Sequence, residues 1–313
     1  MRREAEWVLL VAVAFCAAGL PASSSAQAPP AGLSGPVPAG TVWQEPLTGM
    51  EFVFVPGGVF EQGCGDWISG CSNDAKPPRK VTLHGFWIGK YEVTQTQWKL
   101  VMGTNPLQPR PGERYPIERV SWSDVQEFAR RMREGISAGQ YALPTEAQWE
   151  YACRAGGQRR QYGTASGKLD LHSANYGTEQ CCGRDARDGY LEAARVGSYP
   201  PNGLGLHDMT GNLWEWVQDT YDEQAYVKSP VTDPVQQSKS PVRVTRGGSY
   251  MSSPGMSRCT DRKSIDPDTR DFDLGFRLVW QQTGPAKRSP DHADSRPKSG
   301  ASYRESSPVT GIR

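Results

Sequence analysis

The sequence predicts an α+β domain with little regular secondary structure. The chain has 313 residues, and its 34 Gly and 25 Pro stand beside an apolar fraction of only 37%. Gly and Pro interrupt regular elements, so this composition favours a loop-rich domain over a helical bundle. Short segments of alternating apolar residues predict strands, and three segments with helix-start signals predict short helices between them.

The predicted strands lie towards the two ends of this domain. Residues 49–58 alternate before Pro56-Gly57-Gly58, which predicts a strand followed by a turn. Residues 81–91 predict one or two further strands. Residues 242–244 and 276–280 also have strand composition, and they bracket a long loop that begins at Gly247-Gly248. A loop of this length in a compact domain is usually functional or disordered.

Three helices are predicted in the middle of the chain. Each begins with a Ser or Thr followed three residues later by Gln, which is the pattern of a capping box. The pairs are Thr94 with Gln97, Ser123 with Gln126, and Thr145 with Gln148. The second helix places its apolar residues on one face, namely Val125, Phe128, Ala129 and Met132. Periodicity is lost from residue 158 to 206, which predicts long loops.

The two ends of the chain have compositions unlike a folded domain. Residues 1–28 are predicted to be a secretion signal, with Arg2 and Arg3 before an apolar run, 8–20, that is too short to span a bilayer comfortably. An uncleaved anchor is the alternative. Residues 29–46 are predicted to be a Pro/Ala/Gly-rich linker, and residues 282–313, poor in apolar residues, a disordered tail. The folded domain is therefore expected at 47–281, with no membrane span after signal cleavage.

Charge and cysteine content limit the class of protein. The net charge is +1 and no helix carries a basic stripe, so nothing indicates a nucleic-acid partner. An even number of cysteines remains after the signal, and in an exported chain this predicts disulfides. Cys64 and Cys71 can close a small loop, whereas Cys181-Cys182 can pair with each other or elsewhere. Fifteen pairings of the six are open: Cys64, Cys71, Cys153, Cys181, Cys182 and Cys259.

Seven collinear segments together resemble the formylglycine-generating enzyme family, also called sulfatase-modifying factors. Two of them are Arg246-Gly247-Gly248-Ser249-Tyr250 and Leu274-Gly275-Phe276-Arg277. The others lie at 50–58, 90–94, 116–122, 143–152 and 202–216. The resemblance covers residues 47–281 as one domain, and it implies the family's irregular fold, which is related to C-type lectins. A periplasmic or extracellular location agrees with the predicted signal.

Copper chemistry is not expected from this sequence. The oxidases of the family hold copper(I) with two cysteines in the loop after the Gly-Gly-Ser-Tyr motif, because this soft ion prefers sulfur. Here Ser252 stands at the first cysteine position, and residues 252–258 contain no cysteine. Ser249 stands where the oxidases have an active-site serine, but no His or Asp partner is evident in the sequence. The sequence therefore supports no catalytic role for Ser249 or Ser252.

The resemblance also implies a disulfide and two calcium sites. The disulfide joins Cys153 to Cys259, with a free nucleophilic Cys259 as the alternative. Calcium prefers hard oxygen ligands, both side-chain and backbone. One predicted site uses the side chains of Asn175 and Asp188 with the carbonyls of Tyr176 and Tyr190. The other uses the side chains of Asp208 and Glu215 with the carbonyls of Gly211 and Leu213.

Three functions are compatible with these observations. The first is a module that binds a protein, peptide or small-molecule ligand at loop 246–277, in a groove lined by Trp214, Arg246 and Tyr250. The second is an oxidoreductase of altered chemistry, similar to the periplasmic relatives that mature pyoverdine, in which a carboxylate such as Glu215 or Asp261 acts. The third is a formylglycine-generating oxidase acting on sulfatase cysteines. The missing cysteine pair favours the first.

Overall fold

The structure is a computed structural model that describes residues 37–106, 114–134, 139–178 and 190–282. The predicted signal peptide, the predicted tail from residue 283, Cys181, Cys182 and Asp188 lie outside these ranges. No helix within the described ranges combines the length and apolarity needed to cross a bilayer.

Eleven strands and four α-helices make up the regular structure of the described residues. The strands are β1 (Val42–Gln44), β2 (Glu51–Val55), β3 (Gly58–Gln62), β4 (Arg79–Leu83), β5 (Phe86–Gly89), β6 (Gly139–Ala142), β7 (Trp214–Thr220), β8 (Arg243–Arg246), β9 (Lys263–Ile265), β10 (Leu274–Gly275) and β11 (Val279–Gln282). The helices are α1 (Gln95–Met102), α2 (Trp122–Met132), α3 (Glu146–Cys153) and α4 (Ala225–Lys228). The predicted α+β class with little regular structure is confirmed.

The strands form three separate sheets. The largest is antiparallel, with the order β1-β2-β5-β11-β6. A second sheet has the order β10-β7-β8-β9, in which only the β10–β7 pair is parallel. Strands β3 and β4 form a separate antiparallel pair. Since the second sheet brings β7, β8 and β10 together, it gathers three of the seven family-like segments around one region.

The first strand lies inside the range predicted to be a linker. Val42 of β1 pairs with Val53 of β2, and Gly40 donates a backbone hydrogen bond to Phe54. The fold therefore begins before residue 47. This strand was not predictable from the sequence, because three residues of an edge strand are too few to distinguish from a linker by composition.

The helices begin close to the predicted positions. Thr94 and Thr145 each make the expected capping box with the Gln three residues later. Helix α2 instead has its box at Ser121 and Asp124, two residues before the predicted one. Its predicted apolar face is buried. An aspartate at the third helical position accepts from the backbone of the cap residue as Gln does. The Ser-x-x-Gln pattern therefore does not identify this capping box.

The core lies between the sheets and the helices, in two main clusters. One surrounds Trp149 of α3, and the other surrounds Phe128 of α2 and Trp216 of β7. Cys153, the last residue of α3, is bonded to Cys259 across 106 residues, and Cys64 is bonded to Cys71. The Cys153–Cys259 disulfide that the resemblance implied is present, and it anchors the loop after β8 to α3.

Candidate functional site

Two glycines after β8 turn the chain into the candidate site. Gly247 and Gly248 have φ values of 100° and 75°, which only glycine adopts readily. A side chain on Gly248 would also collide with Ser257. The turn therefore needs both glycines, and it directs Ser249 inward, where its side chain is fully buried.

Ser249 lies in a small polar cluster with Ser252 and Asp273. Its hydroxyl donates to Asp273 Oδ2 at 2.6 Å and lies 3.2 Å from Ser252 Oγ. Ser252 Oγ also accepts from the backbone N–H of Ser249 at 3.0 Å. We call Ser249, Ser252 and Asp273 the serine cluster. Sequence reasoning missed Asp273, because 24 residues separate it from Ser249 and it resembles any loop aspartate.

The surroundings give the serine cluster a polar but shielded environment. Burial raises the pKa of Asp273, which the hydrogen bond from Ser249 and the charge of Lys263 oppose. Lys263 is half-buried, and its ammonium lies 5.0 Å from the centre of the Trp214 ring. Hydroxyl, carboxylate, ammonium and indole groups thus lie within one region, and Lys263 is its partly exposed member.

All three predicted groove residues are buried. Arg246 is fully buried, because its guanidinium binds Glu150 Oε2 at 2.7 Å and donates to three backbone carbonyls of the loop. Tyr250 is 3% exposed and packs in a small cluster with Ala193 and Leu213. Trp214 is 2% exposed, but it borders Lys263. Arg246 is therefore a structural residue and not a groove residue.

The loop offers no free thiol. Cys259 is engaged in the disulfide with Cys153, and the position of the first copper cysteine carries the Ser252 hydroxyl. Met256 packs against the core and is partly buried. A single thioether is a poor substitute for two thiolates as a copper(I) site.

The first predicted calcium region contains an unsatisfied buried oxygen. Asn175 is 1% exposed, and its Oδ1 has no hydrogen-bond partner among the described residues. Its Nδ2 donates to the Glu192 carbonyl at 3.0 Å and to Asn212 Oδ1 at 3.3 Å, which fixes the orientation of the amide. A buried acceptor without a donor is unfavourable, so this oxygen fits a cation. Tyr176 and Tyr190 belong to the described ranges, whereas Asp188 does not.

The second predicted calcium region contains an excess of buried carboxylates. Asp208 and Glu215 are joined there by Glu92, which the sequence analysis did not include, and we call these three the acidic cluster. Each is less than 10% exposed. Glu92 accepts from Asn212 Nδ2 at 2.5 Å and from the Leu213 backbone at 3.0 Å. Asp208 accepts from the Gly197 backbone at 2.7 Å.

One arginine faces the acidic cluster. Arg277 binds both oxygens of Glu215, at 2.6 to 2.9 Å, and Trp149 Nε1 donates to the same carboxylate at 2.8 Å. Burial, followed by the charges of Asp208 and Glu215, raises the pKa of Glu92 well above its usual range. Burial likewise raises the pKa of Asp208 to about 6. The negative charge of the cluster is thus incompletely neutralised.

These contacts qualify the predicted calcium ligands. Glu215, expected to bind calcium, is already bound to Arg277, whereas the Asp208 carboxylate accepts from the Gly197 backbone. Within the described part of the chain, no group of three or more His, Cys, Asp or Glu side chains forms a metal site by itself. Each predicted calcium site instead combines two carboxyl or amide side chains with backbone carbonyls.

Comparison with known proteins agrees with the fold and these motifs. Residues 39–282 match the family model of the sulfatase-modifying factor enzyme 1-like domain. A formylglycine-generating enzyme of Streptomyces coelicolor is 37% identical over 203 residues, which are 62% of this chain and 60% of that enzyme. The chaperone protein LppX of Paenibacillus barcinonensis is 30% identical over 271 residues, 73% of this chain and 89% of LppX.

A solved structure extends the comparison to three dimensions. The structure of PvdO from Pseudomonas aeruginosa matches with a TM-score of 0.68 and 27% sequence identity, covering 79% of this chain and all of PvdO. Fold and motifs together define an α+β domain with a C-type-lectin-like fold. This chain belongs to the sulfatase-modifying factor family.

Proposed function

We propose that this chain is an exported domain that binds a protein, peptide or small-molecule ligand at loop 246–277 and has no copper-dependent formylglycine oxidase activity. The observation that carries the proposal is the loop without free thiols. Ser252 stands at the first copper position, and Cys259 is held in a disulfide with Cys153. Copper(I) would find no thiolate there, only oxygen groups and the thioethers of Met251 and Met256, which are poor substitutes for two thiolates.

The serine cluster supports ligand binding as the role of the loop. Its hydrogen bonds hold Ser249, Ser252 and Asp273 in one arrangement. Groups that are held before binding lose little conformational entropy when a ligand arrives. The relatives include one named a chaperone protein as well as one named a formylglycine-generating enzyme, so membership alone does not assign an activity.

An oxidoreductase of altered chemistry is the second candidate, favoured by the similarity to PvdO. Such an enzyme would need a carboxylate in place of the thiols. Glu215 is bound by Arg277, whereas burial raises the pKa of Asp261 to about 6, and Asp261 binds Arg258 in the same loop. Asp261 and Asp273 are therefore better candidates for that role than Glu215. The third candidate, a formylglycine-generating oxidase, would require a copper site that these loop residues do not supply.

We propose export and calcium binding on separate grounds. Disulfides persist in oxidising compartments, and the chain has two among the described residues. Calcium would be held by Asn175 Oδ1 in one region and by Asp208 with neighbouring carbonyls in the other. When bound, it would supply positive charge to loops that carry an unsatisfied oxygen and surplus carboxylates.

An oxygen-dependent turnover assay tests the absence of oxidase activity. The protein would be mixed with copper(I) and a Cys-x-Pro-x-Arg peptide, and mass spectrometry would detect thiol converted to aldehyde. We expect no aldehyde, either from the protein itself or from the Ser252→Ala variant. Aldehyde formed by the wild-type protein would disprove the proposal and favour the third candidate.

The binding role is tested with the same peptide carrying Ser in place of its Cys and a fluorescent label. We expect saturable anisotropy with the wild-type protein and an affinity about tenfold lower in Asp273→Asn, which removes the charge beside Ser249. Asp266→Asn is the matched control, because Asp266 is an exposed residue of the same loop. Equal affinity of the two variants, or no saturable binding, would contradict ligand binding of this peptide class at the serine cluster.

A further inference from the structure

A cavity lies on a part of the protein away from loop 246–277. It has a volume of about 350 Å³ and opens between the β4–β5 turn, the beginning of α3 and residues 233–235. We call it the His84 cavity. Its lining includes His84, Phe86, Thr145, Gln148, Asp233, Val235 and Gln281. None of them belongs to the serine cluster or the acidic cluster.

His84 is held in a fixed position at the mouth of this cavity. Asp233 accepts from the backbone N–H of His84 at 2.9 Å and contacts the ring Nδ1 with its other oxygen. Asp233 itself donates its backbone N–H to the Thr82 carbonyl at 2.9 Å and has a positive φ of 42°. One carboxylate from a segment 149 residues away thus orients both the backbone and the ring of His84. The Nε2 atom remains for a ligand.

Two amide side chains face the same space. Gln148 is 6% exposed, and its Oε1 accepts from the Thr145 backbone at 3.0 Å, which directs Nε2 away from the helix cap. No described residue is a hydrogen-bond partner of Gln148 Nε2, although its side chain lines the cavity. Gln281 is half-buried and likewise has no described partner for its amide. Both amide groups border the open space of the cavity, where a ligand or water can accept their hydrogen bonds.

The free polar groups of the cavity are mainly donors. They are the two Nε2 amide groups, the Thr145 hydroxyl, whose oxygen already accepts from the Gln148 backbone, and Nε2 of His84. Both Asp233 oxygens are engaged by His84 and do not compete as acceptors. The hydrogen bond and charge of Asp233 raise the pKa of His84, which favours the donor form of Nε2. Donor groups of this kind recognise an acceptor-rich ligand.

We propose that the His84 cavity binds the carboxylate group of a small organic acid. His84 Nε2, Gln148 Nε2 and Gln281 Nε2 donate to the carboxylate oxygens. Phe86 and Val235 provide the apolar wall for the rest of the ligand. A structural role for the His84–Asp233 pair alone, joining residues 229–236 to the β4–β5 turn, would leave both amide groups unused.

Nuclear magnetic resonance of the histidine rings tests this site directly. The chain contains only four His, and His84→Gln identifies the His84 ring signal. The full protein would be titrated at pH 6 with succinate, with glucose and with inorganic sulfate. We expect a saturable shift of the His84 signal with succinate only. The His207 signal is the internal control, because His207 Nδ1 donates to the Tyr199 carbonyl in another region.

Two variants separate ligand binding from a structural role. Gln281→Leu removes one donor at the cavity edge and should weaken succinate binding about tenfold, as expected for one lost hydrogen bond to a charged group. Asp233→Ala releases the His84 ring and should weaken binding similarly. A saturable shift with glucose or sulfate equal to that with succinate would overturn the proposed ligand class. No saturable shift, or unchanged affinity in Gln281→Leu, would overturn the site.

Discussion

Two buried ionic clusters in this molecule use similar residues but differ in charge balance. The arginine cluster combines three guanidinium groups with two glutamates: Arg154, Arg246 and Arg262 with Glu146 and Glu150. The acidic cluster combines three carboxylates with the buried Arg277, while the exposed Arg114 acts on Asp208 only through its charge. Buried charges are costly unless they are paired, so the two clusters have different requirements.

The arginine cluster pairs each of its two glutamates with arginine, and among the described residues only Nε of Arg246 in this cluster is buried without a hydrogen-bond partner. Glu146 binds Arg262 through both oxygens, at 2.6 and 2.9 Å, and Glu150 lies between Arg154 and Arg246. The opposing charges of Arg262 and Arg246 keep the pKa of Glu146 low despite its burial. The acidic cluster shows the reverse, because the pKa values of Glu92 and Asp208 are raised. The comparison indicates that the arginine cluster has a structural role, whereas the acidic cluster needs added positive charge.

Removal of an arginine should give the largest difference between the clusters. Arg277→Met removes the buried cation that pairs with Glu215, and we expect a loss of about 3–5 kcal/mol in the free energy of unfolding. Arg246→Met should cost less, because Glu150 keeps Arg154 and the hydroxyl of Tyr226 as partners. Urea unfolding in the presence of a calcium chelator measures both.

The double variant Arg277→Met with Glu215→Gln controls for packing. It removes the partner charge as well, so it should recover part of the stability lost by Arg277→Met alone. If Arg277→Met were less destabilising than Arg246→Met, the acidic cluster would not be the one with uncompensated charge.

The disulfide beside the arginine cluster should give the next largest effect. Cys259, whose carbonyl accepts from Arg246, is bonded to Cys153 across 106 residues. Its removal in a Cys153→Ala, Cys259→Ala variant should cost about 2–5 kcal/mol, since closure of a long loop restricts the unfolded chain most. The Cys64–Cys71 bond spans 7 residues, so the matching double variant should cost less. Equal losses in urea unfolding would contradict this ordering.

Calcium should stabilise the folded protein by binding near the acidic cluster, and the arginine cluster should not contribute to this effect. At a free concentration one hundred times its dissociation constant, calcium would raise the free energy of unfolding by about 2.7 kcal/mol for one site. Thermal unfolding with calcium and with chelator measures the effect. Asn175→Ala and Asp208→Asn should each reduce it.

The matched control is a variant beside the arginine cluster. Asp219→Asn changes a buried carboxyl group next to Glu146 and should leave the calcium response intact. No stabilisation of the wild-type protein by calcium would contradict the calcium proposal. An equal reduction in Asp219→Asn would mean that the response does not originate at the acidic cluster.

Local features of this fold were predictable, and long-range pairing was not. Thr94 and Thr145 cap their helices as the sequence predicted, because capping depends on residues within one turn. Resemblance supplied the pairing of Cys153 with Cys259, which spacing alone left open. Arg246 was expected at a groove but is buried. This burial was not predictable, because its partner Glu150 is 96 residues away in the sequence.

The candidate sites follow the same rule. Ser249 was identified from its motif, whereas its partner Asp273 is brought to it by the pairing of β10 with β7. Glu92 contacts residues about 120 positions away, and His84 meets Asp233 across 149. No periodic pattern encodes such contacts, because each depends on how the sheets and loops pack. Charge balance in the core therefore became visible only in the structure.

The smallest expected effect is a pH dependence within the arginine cluster. Burial and the charge of Glu146 raise the pKa of Asp219 to about 7, while an unfolded aspartate titrates near 3.9. Between these values the folded protein holds a proton that the unfolded chain does not, so this group makes stability fall as pH rises from 4 to 7. Asp219→Asn is neutral at every pH and lacks this contribution.

The free energy of unfolding of the wild-type protein relative to Asp219→Asn should therefore decrease from pH 5 to pH 7, by on the order of 2 kcal/mol. Urea titrations at intervals of half a pH unit measure the difference. Because Asp219 accepts from the backbone of Glu146 and belongs to the balanced side of the molecule, calcium should leave this difference unchanged. A difference that is flat with pH would show that Asp219 is ionised in the folded protein, and one that calcium abolishes would show that the two clusters are coupled.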